Sequence, residues 1–281
     1  MKIWRAEEKM KIAITGASGF VGTAIQRYFK QNEYVHIHRD EDVAQIVQKL
    51  KGVDTVINLA GAPIIHRWDD AYKKVLRSSR IDTTQTLIEA INQSDVAYLI
   101  STSAVGIYPN NAPCDETSQI GDDFLAQLTK EWEEAALACN KPTAILRFGV
   151  IFGKNGGALT TMLPAFKFGL GGVIGNGKMM TSWIALGDLM KIYGFLFEKR
   201  LTGIFNACAP NPVTNRVFTK ALGSVLKRPT LLPLPTFLLK IYYGEGAKVI
   251  TDSKEVRPKK LQELGFEFDY PDITSALRAA V

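Results

Sequence analysis

The string TGASGFVG, residues 15–22, carries the clearest chemistry in the chain. Gly16, Gly19 and Gly22 recur at every third position, after a short apolar run and before a helical pattern. Glycine has no Cβ, so a diphosphate can approach the backbone of such a turn closely. The helix behind it presents free N–H groups and the positive end of its dipole to the same place. Contacts to a dinucleotide are therefore expected from Gly16, Ser18, Gly19, Phe20, Val21 and Gly22. Three glycines alone are a weak signal, but at the first strand-to-helix turn of an α/β pattern they are a strong one. The plainer alternative is a tight turn with no ligand.

That context comes from the surrounding periodicity. Strands are expected at 11–15 (KIAIT), 34–38, 55–59 (TVINL), 97–102 and 143–148. Helical patterns lie between them, at about 20–30, 42–50, 69–93 and 122–139. The longest, 69–93, has Val75, Leu76, Ile81, Leu87, Ile88 and Ile91 on its apolar stripe. Strands alternating with helices predict a parallel sheet covered on both faces, a doubly wound Rossmann α/β fold. Leu59, Ala60 and Gly61 end a strand beside the glycine turn, so their backbone should border the diphosphate and ribose; the alternative is simple strand-to-loop packing. After Gly149 the glycines crowd together, as in loops that border a site. The expected division is an extension at 1–10, a dinucleotide-binding domain at 11–160, and a smaller C-terminal substrate domain at 161–281. Part of 183–210 is expected to return to the main sheet.

Composition removes several function classes. With 281 residues and 46% hydrophobic content, the chain can bury a core without disulfides or metals. Cys114, Cys139 and Cys208 are odd in number and irregularly spaced, which fits a reducing cytoplasm. The chain has three histidines, His36, His38 and His66, and a zinc site is not expected. No stretch approaches the ~20 apolar residues of a membrane span. Residues 1–10 carry Glu7, Glu8 and Lys9 where a signal peptide would be apolar. The net charge of +6 reads as a solvated basic surface, because no basic run is interleaved with aromatics. Neither nucleic acid nor membrane is an expected partner.

The spacing G-x-x-G-x-x-G resembles the short-chain dehydrogenase/reductase superfamily, particularly its extended, sugar-epimerase-like branch. The resemblance continues through NLAGAPI (58–64), SRIDTT (79–84), STSAVGIY (101–108), DFLAQLTKEWEEAA (123–136), RFGVIFGKNGGAL (147–159) and LGGVIGNGKMMTSWIALGDL (170–189). It extends to LPTFLLKIYYGEGAKVITDSKEVRPKKLQELGFEF (234–268). Together these strings are similar to the epimerase-like proteins with a C-terminal domain of unknown function, some of which carry a cell-division-inhibitor label. The resemblance puts the end of the second strand near the adenosine ribose, where Arg39 could pair with a 2′-phosphate and select NADP. The alternative is that Arg39 is solvated and that Asp40 or Asp42 meets the ribose. Only residues 40–54 separate the second and third strands, leaving room for one short helix and no further strand.

The resemblance also implies catalytic roles. In the superfamily a tyrosine passes the proton, a lysine four residues later holds the ribose, and a serine after an earlier strand orients the substrate oxygen. Ser103 fits the serine and Lys130 the lysine, which puts Ala126 where the tyrosine belongs; the alternative for Lys130 is a solvated surface position on an amphipathic helix. Alanine cannot donate a proton, and losing a general acid costs roughly 10²–10⁴ in rate. Tyr108 is the nearest candidate replacement, with packing under the loop as the alternative. Arg147 either borders the nicotinamide or forms a buried ion pair. Asp188 is expected to cap a helix, and Arg80, Trp68, Trp132 and Trp183 to be core or lid. The expectation is an NADP-binding oxidoreductase or epimerase, a monomer or homodimer acting on a small molecule. The rival is an NADP-binding sensor that lost the proton relay.

Overall fold

The computed structural model describes residues 9–281. Most of the expected extension lies outside the described residues, but Met10 is buried and packs into the sheet core. Six parallel strands form the central sheet: β1 (Lys11–Thr15), β2 (Glu33–Ile37), β3 (Thr55–Asn58), β4 (Tyr98–Ala104), β6 (Thr143–Phe148) and β10 (Gly203–Ala207). Their order across the sheet is β10-β6-β4-β3-β1-β2. The chain winds outward from β1 in two directions, so β1 and β3 flank the switch point where open α/β sheets bind ligands. A doubly wound Rossmann sheet is thus present. Between β2 and β3 the chain forms only α2 (Val43–Lys49), which leaves β2 at the sheet edge.

The strands are near-continuous apolar runs because both faces are covered. Ile12, Ile14, Ile57, Ile100 and Leu146 pack towards α1 (Phe20–Tyr28), α7 (Leu186–Lys199) and α11 (Lys259–Glu263). Ala13, Val56 and Leu99 pack on the opposite side against α2 and α4 (Ile81–Asn92). The expected helix at 69–93 is two helices, α3 (Asp70–Ser78) and α4. Its stripe is interrupted because Ser79 caps α3 while its hydroxyl accepts from Ala62 N, and Arg80 turns its guanidinium back to the Leu76 carbonyl. On the same side of the sheet, α5 (Phe124–Leu137) follows the short strand β5 (Pro113–Cys114).

The remaining chain is woven into this frame. Strand β7 (Val150–Gly153) pairs with β9 (Trp183–Ala185), and β8 (Met180–Thr181) with β11 (Val213–Thr214). The ribbon β7–β9 shares a core with α6 (Gly157–Lys167), α8 (Asn215–Leu226) and α12 (Ile273–Ala280), built on Phe152, Trp183, Phe218, Leu222 and Leu277. Near the C-terminus, α9 (Thr236–Tyr243) and α10 (Lys248–Thr251) precede β12 (Glu255–Val256), which pairs with β5. Strand β10 lies on the edge opposite β2 and pairs with β6. Asp188 does not cap a helix start. It sits inside the first turn of α7 and accepts from Asp269 N at 2.8 Å and Tyr270 N at 3.0 Å, tying the C-terminal segment to α7. Burial raises its carboxyl above the usual range, and those two N–H donors oppose the rise.

Candidate functional site

The glycine turn is shaped as its sequence requires. Gly16 has φ +64, and a Cβ there would sit 2.9 Å from the Leu59 carbonyl oxygen. A side chain would therefore be strained in its backbone and blocked by β3. Gly22 packs on Gly16, since a Cβ there would lie 2.4 Å from the Gly16 oxygen. Gly19 differs: its Cβ would meet the Gly16 oxygen at 3.2 Å and nothing else, so its outer side is open. Gly19 is the N-cap of α1 without a side-chain capping bond, and the first turn has no acidic residue. The N–H groups of Phe20, Val21 and Gly22 thus open the helix with neither a capping side chain nor a carboxylate beside them, as an anion site requires. The Phe20 ring turns away and packs against the backbones of Gly153, Gly156 and Gly157, where a Cβ at Gly156 would fall 2.1 Å from the ring.

The end of β3 is pinned beside this turn. The Thr15 hydroxyl donates to Asn58 Oδ1 at 2.8 Å and accepts from Leu59 N at 2.9 Å and Ala60 N at 3.1 Å. Asn58 Nδ2 donates to the hydroxyls of Thr84 at 2.9 Å and Ser101 at 3.1 Å. Sequence reasoning missed Thr15 and Asn58. Two polar residues ending otherwise apolar strands, KIAIT and TVIN, were the signal. Leu59 and Ala60 are half-buried and Gly61 is exposed, so these cradle residues are brought together with the glycine turn. Arg39 lies just past β2, exposed and without an ion-pair partner among the described residues. The alternative through Asp42 loses support, because that carboxylate caps α2 in a capping box with Gln45. Strand β2 ends at Ile37, one residue before its expected end.

The expected catalytic residues are arranged differently. Ser103 is buried at the end of β4, and its hydroxyl donates to Glu133. Arg147 clamps the same carboxylate in a fork, Nε to Oε1 at 2.7 Å and Nη2 to Oε2 at 2.8 Å. Its Nη1 donates to the Tyr108 hydroxyl at 2.7 Å, and that hydroxyl donates to Asn206 Oδ1 at 2.8 Å. Asn206 N in turn donates to Glu116 at 2.9 Å. Burial alone would lower the Arg147 pKa, but the Glu133 carboxylate raises it above its ordinary value. Arg147 is the buried ion-pair residue of the two readings offered for it.

Two expectations are corrected here. Tyr108 is fully buried with its hydroxyl committed on both sides, and burial pushes its phenol up to about 12 despite Arg147 beside it. A general acid tuned downward by a lysine is not what this geometry builds. Lys130 points to solvent on α5, 3.7 Å from Glu134 one turn on. The inner face of α5 is carried by Ala126, Thr129 and Glu133, and Gly106 after β4 faces Leu125 and Thr129. The position opposite the serine strand is therefore Thr129, with Leu125 four residues before it. Neither this register nor that of Ala126 and Lys130 gives a tyrosine–lysine pair. Glu133 was missed, although a glutamate on the apolar stripe of an amphipathic helix was visible in the sequence.

The family model described as NAD dependent epimerase/dehydratase family matches residues 12–208. The chain belongs to that family. A second model, a domain of unknown function named DUF1731, matches residues 234–280. The chain is 38% identical to the "Epimerase family protein SDR39U1 homolog, chloroplastic" of Arabidopsis thaliana, over 97% of this chain and 87% of that protein. The crystal structure of human epimerase family protein SDR39U1 (isoform 2) with NADPH superposes with a TM-score of 0.91 at 30% identity, covering 96% of this chain and 99% of that one. A nucleoside-diphosphate sugar epimerase from Corynebacterium glutamicum matches with a TM-score of 0.77 at 30% identity, over 97% of this chain and 58% of that chain. No helix among the described residues is long and apolar enough to cross a membrane.

Proposed function

We propose that this member of the epimerase family binds NADP(H) over the glycine turn and is an oxidoreductase of a small molecule. The observation that carries the reading is the uncapped start of α1 beside a bare strand end, in a chain that superposes on an NADPH-bound relative. When bound, the nicotinamide would accept or deliver a hydride at a carbinol or carbonyl carbon. The N–H groups of residues 20–22 and the 59–61 backbone would hold the diphosphate and ribose, and Arg39 a 2′-phosphate. The buried Ser103–Glu133–Arg147–Tyr108 chain gives the floor of the site a fixed shape and holds its protons in place. A proton for the substrate oxygen would come from outside that chain. The three cysteines are free, which supports work in a reducing compartment such as the cytoplasm. Nothing in the reading requires nucleic acid, a membrane, or more than a monomer or homodimer.

A second reading, an NADP(H)-binding sensor without turnover, is favoured by one observation. Neither register of α5 holds the proton-relay pair, and Tyr108 is locked by Arg147 and Asn206. Screening metabolite pools for NADPH oxidation separates the two. Consumption of NADPH with a product formed supports the oxidoreductase. Tight NADPH binding with no turnover in any pool supports the sensor, and absence of NADPH binding rejects both.

A further inference from the structure

Helix α9 buries none of its residues, although six of its eight are apolar or aromatic. Phe237, Leu238, Ile241 and Tyr242 recur at i, i+1, i+4 and i+5, so they share one face. All four are exposed, Tyr242 by 71%. The loops that lead into the helix are as bare. Phe168 is 81% exposed and Leu231 79%, with Leu170 and Leu232 exposed beside them. These loops run side by side: Arg228 Nε donates to the Lys167 carbonyl at 2.9 Å, Leu234 N to Val173 O at 2.9 Å, and Gly175 N to Leu234 O at 2.9 Å. A Cβ on Gly175 would lie 3.0 Å from Thr236, the first residue of α9. Single exposed apolar side chains are ordinary, but a gathered set marks an interaction site.

The charge around this set has one sign. Residues 147–187 and 199–244, the two stretches that build it, contain no aspartate or glutamate. They do contain Lys167, Lys227, Arg228 and Lys240, all exposed and none paired with a carboxylate among the described residues. Lys167 precedes Phe168, Lys227 and Arg228 precede Leu231, and Lys240 lies within α9. Carboxylates return past the C-terminal end of the helix, where Glu245 pairs with Lys73 and Asp69 caps α3.

Charge decides between the occupants such a face could take. A second copy would bring cations against cations. A nucleic acid would meet the cations but has no apolar layer to receive leucine and isoleucine side chains. A bilayer containing anionic lipids supplies both, negative headgroups above and an acyl boundary beneath them. We propose that this face docks the protein on an anionic lipid bilayer, with α9 in the plane of the headgroups. The attachment is peripheral, since no helix among the described residues is long and apolar enough to span. A short helix and four loop side chains insert little apolar area, so binding should be reversible and weakened by salt. It does not depend on the NADP(H) reading. The sequence pointed away from a membrane partner because these apolar and basic residues come from separate stretches, which only the fold brings together.

The test is co-sedimentation of the full chain with vesicles of phosphatidylcholine, with and without phosphatidylglycerol, at low and high salt. The wild type should sediment with the anionic vesicles at low salt and stay in solution with the neutral ones. Two double variants separate the contributions: Leu231→Ser with Ile241→Ser removes apolar contact, and Lys167→Glu with Lys240→Glu reverses charge. Each should lower vesicle affinity tenfold or more while its melting temperature stays near that of the wild type. Where the serine variant does not fold, the charge variant and the salt dependence decide. A wild type that ignores anionic vesicles, or vesicle binding that survives in every folded variant, overturns the proposal. So do two other results obtained without vesicle binding. A dimer in sedimentation velocity that the serine variant abolishes would give the face to a second copy. DNA retention that only the charge variant abolishes would give it to nucleic acid.

Discussion

At the scale of single residues, charge placement carries most of the consequences. Arg39 is exposed beyond β2 with no ion pair among the described residues, so it should act only when a 2′-phosphate is present. Arg39→Ala is expected to weaken NADPH binding by about 1.5–3 kcal/mol while leaving NADH unchanged, as read by calorimetry with both cofactors. Glu133 is the opposite case, since it is buried and its role is internal. Glu133→Gln leaves Arg147 without its counter-charge and should cost about 3–5 kcal/mol in urea unfolding. Adding Arg147→Met should recover much of that loss, because the uncompensated charge is then gone. Tyr108→Phe should lower stability by about 1–3 kcal/mol, through unpaired Arg147 and Asn206 groups, and leave NADPH affinity unchanged. The Tyr108 phenol is raised from 10.0 to about 12 in the fold. Its neutral form is the stabilised one, so its contribution is full below pH 10 and is lost as pH rises from there through about 12. Ultraviolet titration of wild type and Tyr108→Phe checks this: burial also raises the phenols of Tyr34, Tyr98 and Tyr193, so the variant should show one late-ionising phenol fewer than the wild type.

At the scale of elements, the glycine turn and α5 show where sequence is a good guide and where it is not. The turn was legible because glycine spacing, the preceding KIAIT run and the helix behind it report one local geometry. Gly19→Val should remove NADPH binding with little loss of fold, since its only near contact is the Gly16 oxygen. A melt that still rises with NADPH in that variant would show that the cofactor does not sit on the turn. Helix α5 was legible as a helix, but its phase was not. One residue turns a helix by about 100°, so taking Lys130 as an inward residue moved the reading off the inner face. Thr129 and Glu133 hold that face because Trp132, Ala136 and Leu128 fix the helix against the core. The break between α3 and α4 was hidden for a related reason. It depends on Ser79 and Arg80 bonding backbone groups of residues 62 and 76, a tertiary event that the apolar stripe does not record.

At the scale of the whole molecule, the two matched regions share hydrophobic cores. Leu261 and Phe266 belong to the same core cluster as Ile12, Ile14 and Ile57, and Leu277 belongs to that of Trp183. Lys254 reaches the Tyr108 carbonyl at 2.5 Å, and Asp188 holds residues 269 and 270. A chain ending at residue 233 is therefore expected to lose cooperative unfolding in urea, where the full chain should show a single transition. This closure was not legible in the sequence, because short strands such as β5 and β12 have no periodicity of their own.

The short connection between β2 and β3, with α2 as its one element, has a further consequence, which concerns self-association. Among the described residues it leaves β2 with no strand on its outer side, the kind of edge onto which another extended chain can add. The strand is five residues long and carries Glu33 and His36 on exposed positions. Lys49 reaches across from α2 and donates to the His36 carbonyl at 2.8 Å, taking up an acceptor that a neighbouring strand would need. The border is thus short, charged and partly stoppered, which works against intermolecular strand addition. Exchanging Glu33 and Lys49 for valine would remove both protections at once, and light scattering on mild heating should then rise well below the temperature at which the wild type begins to aggregate.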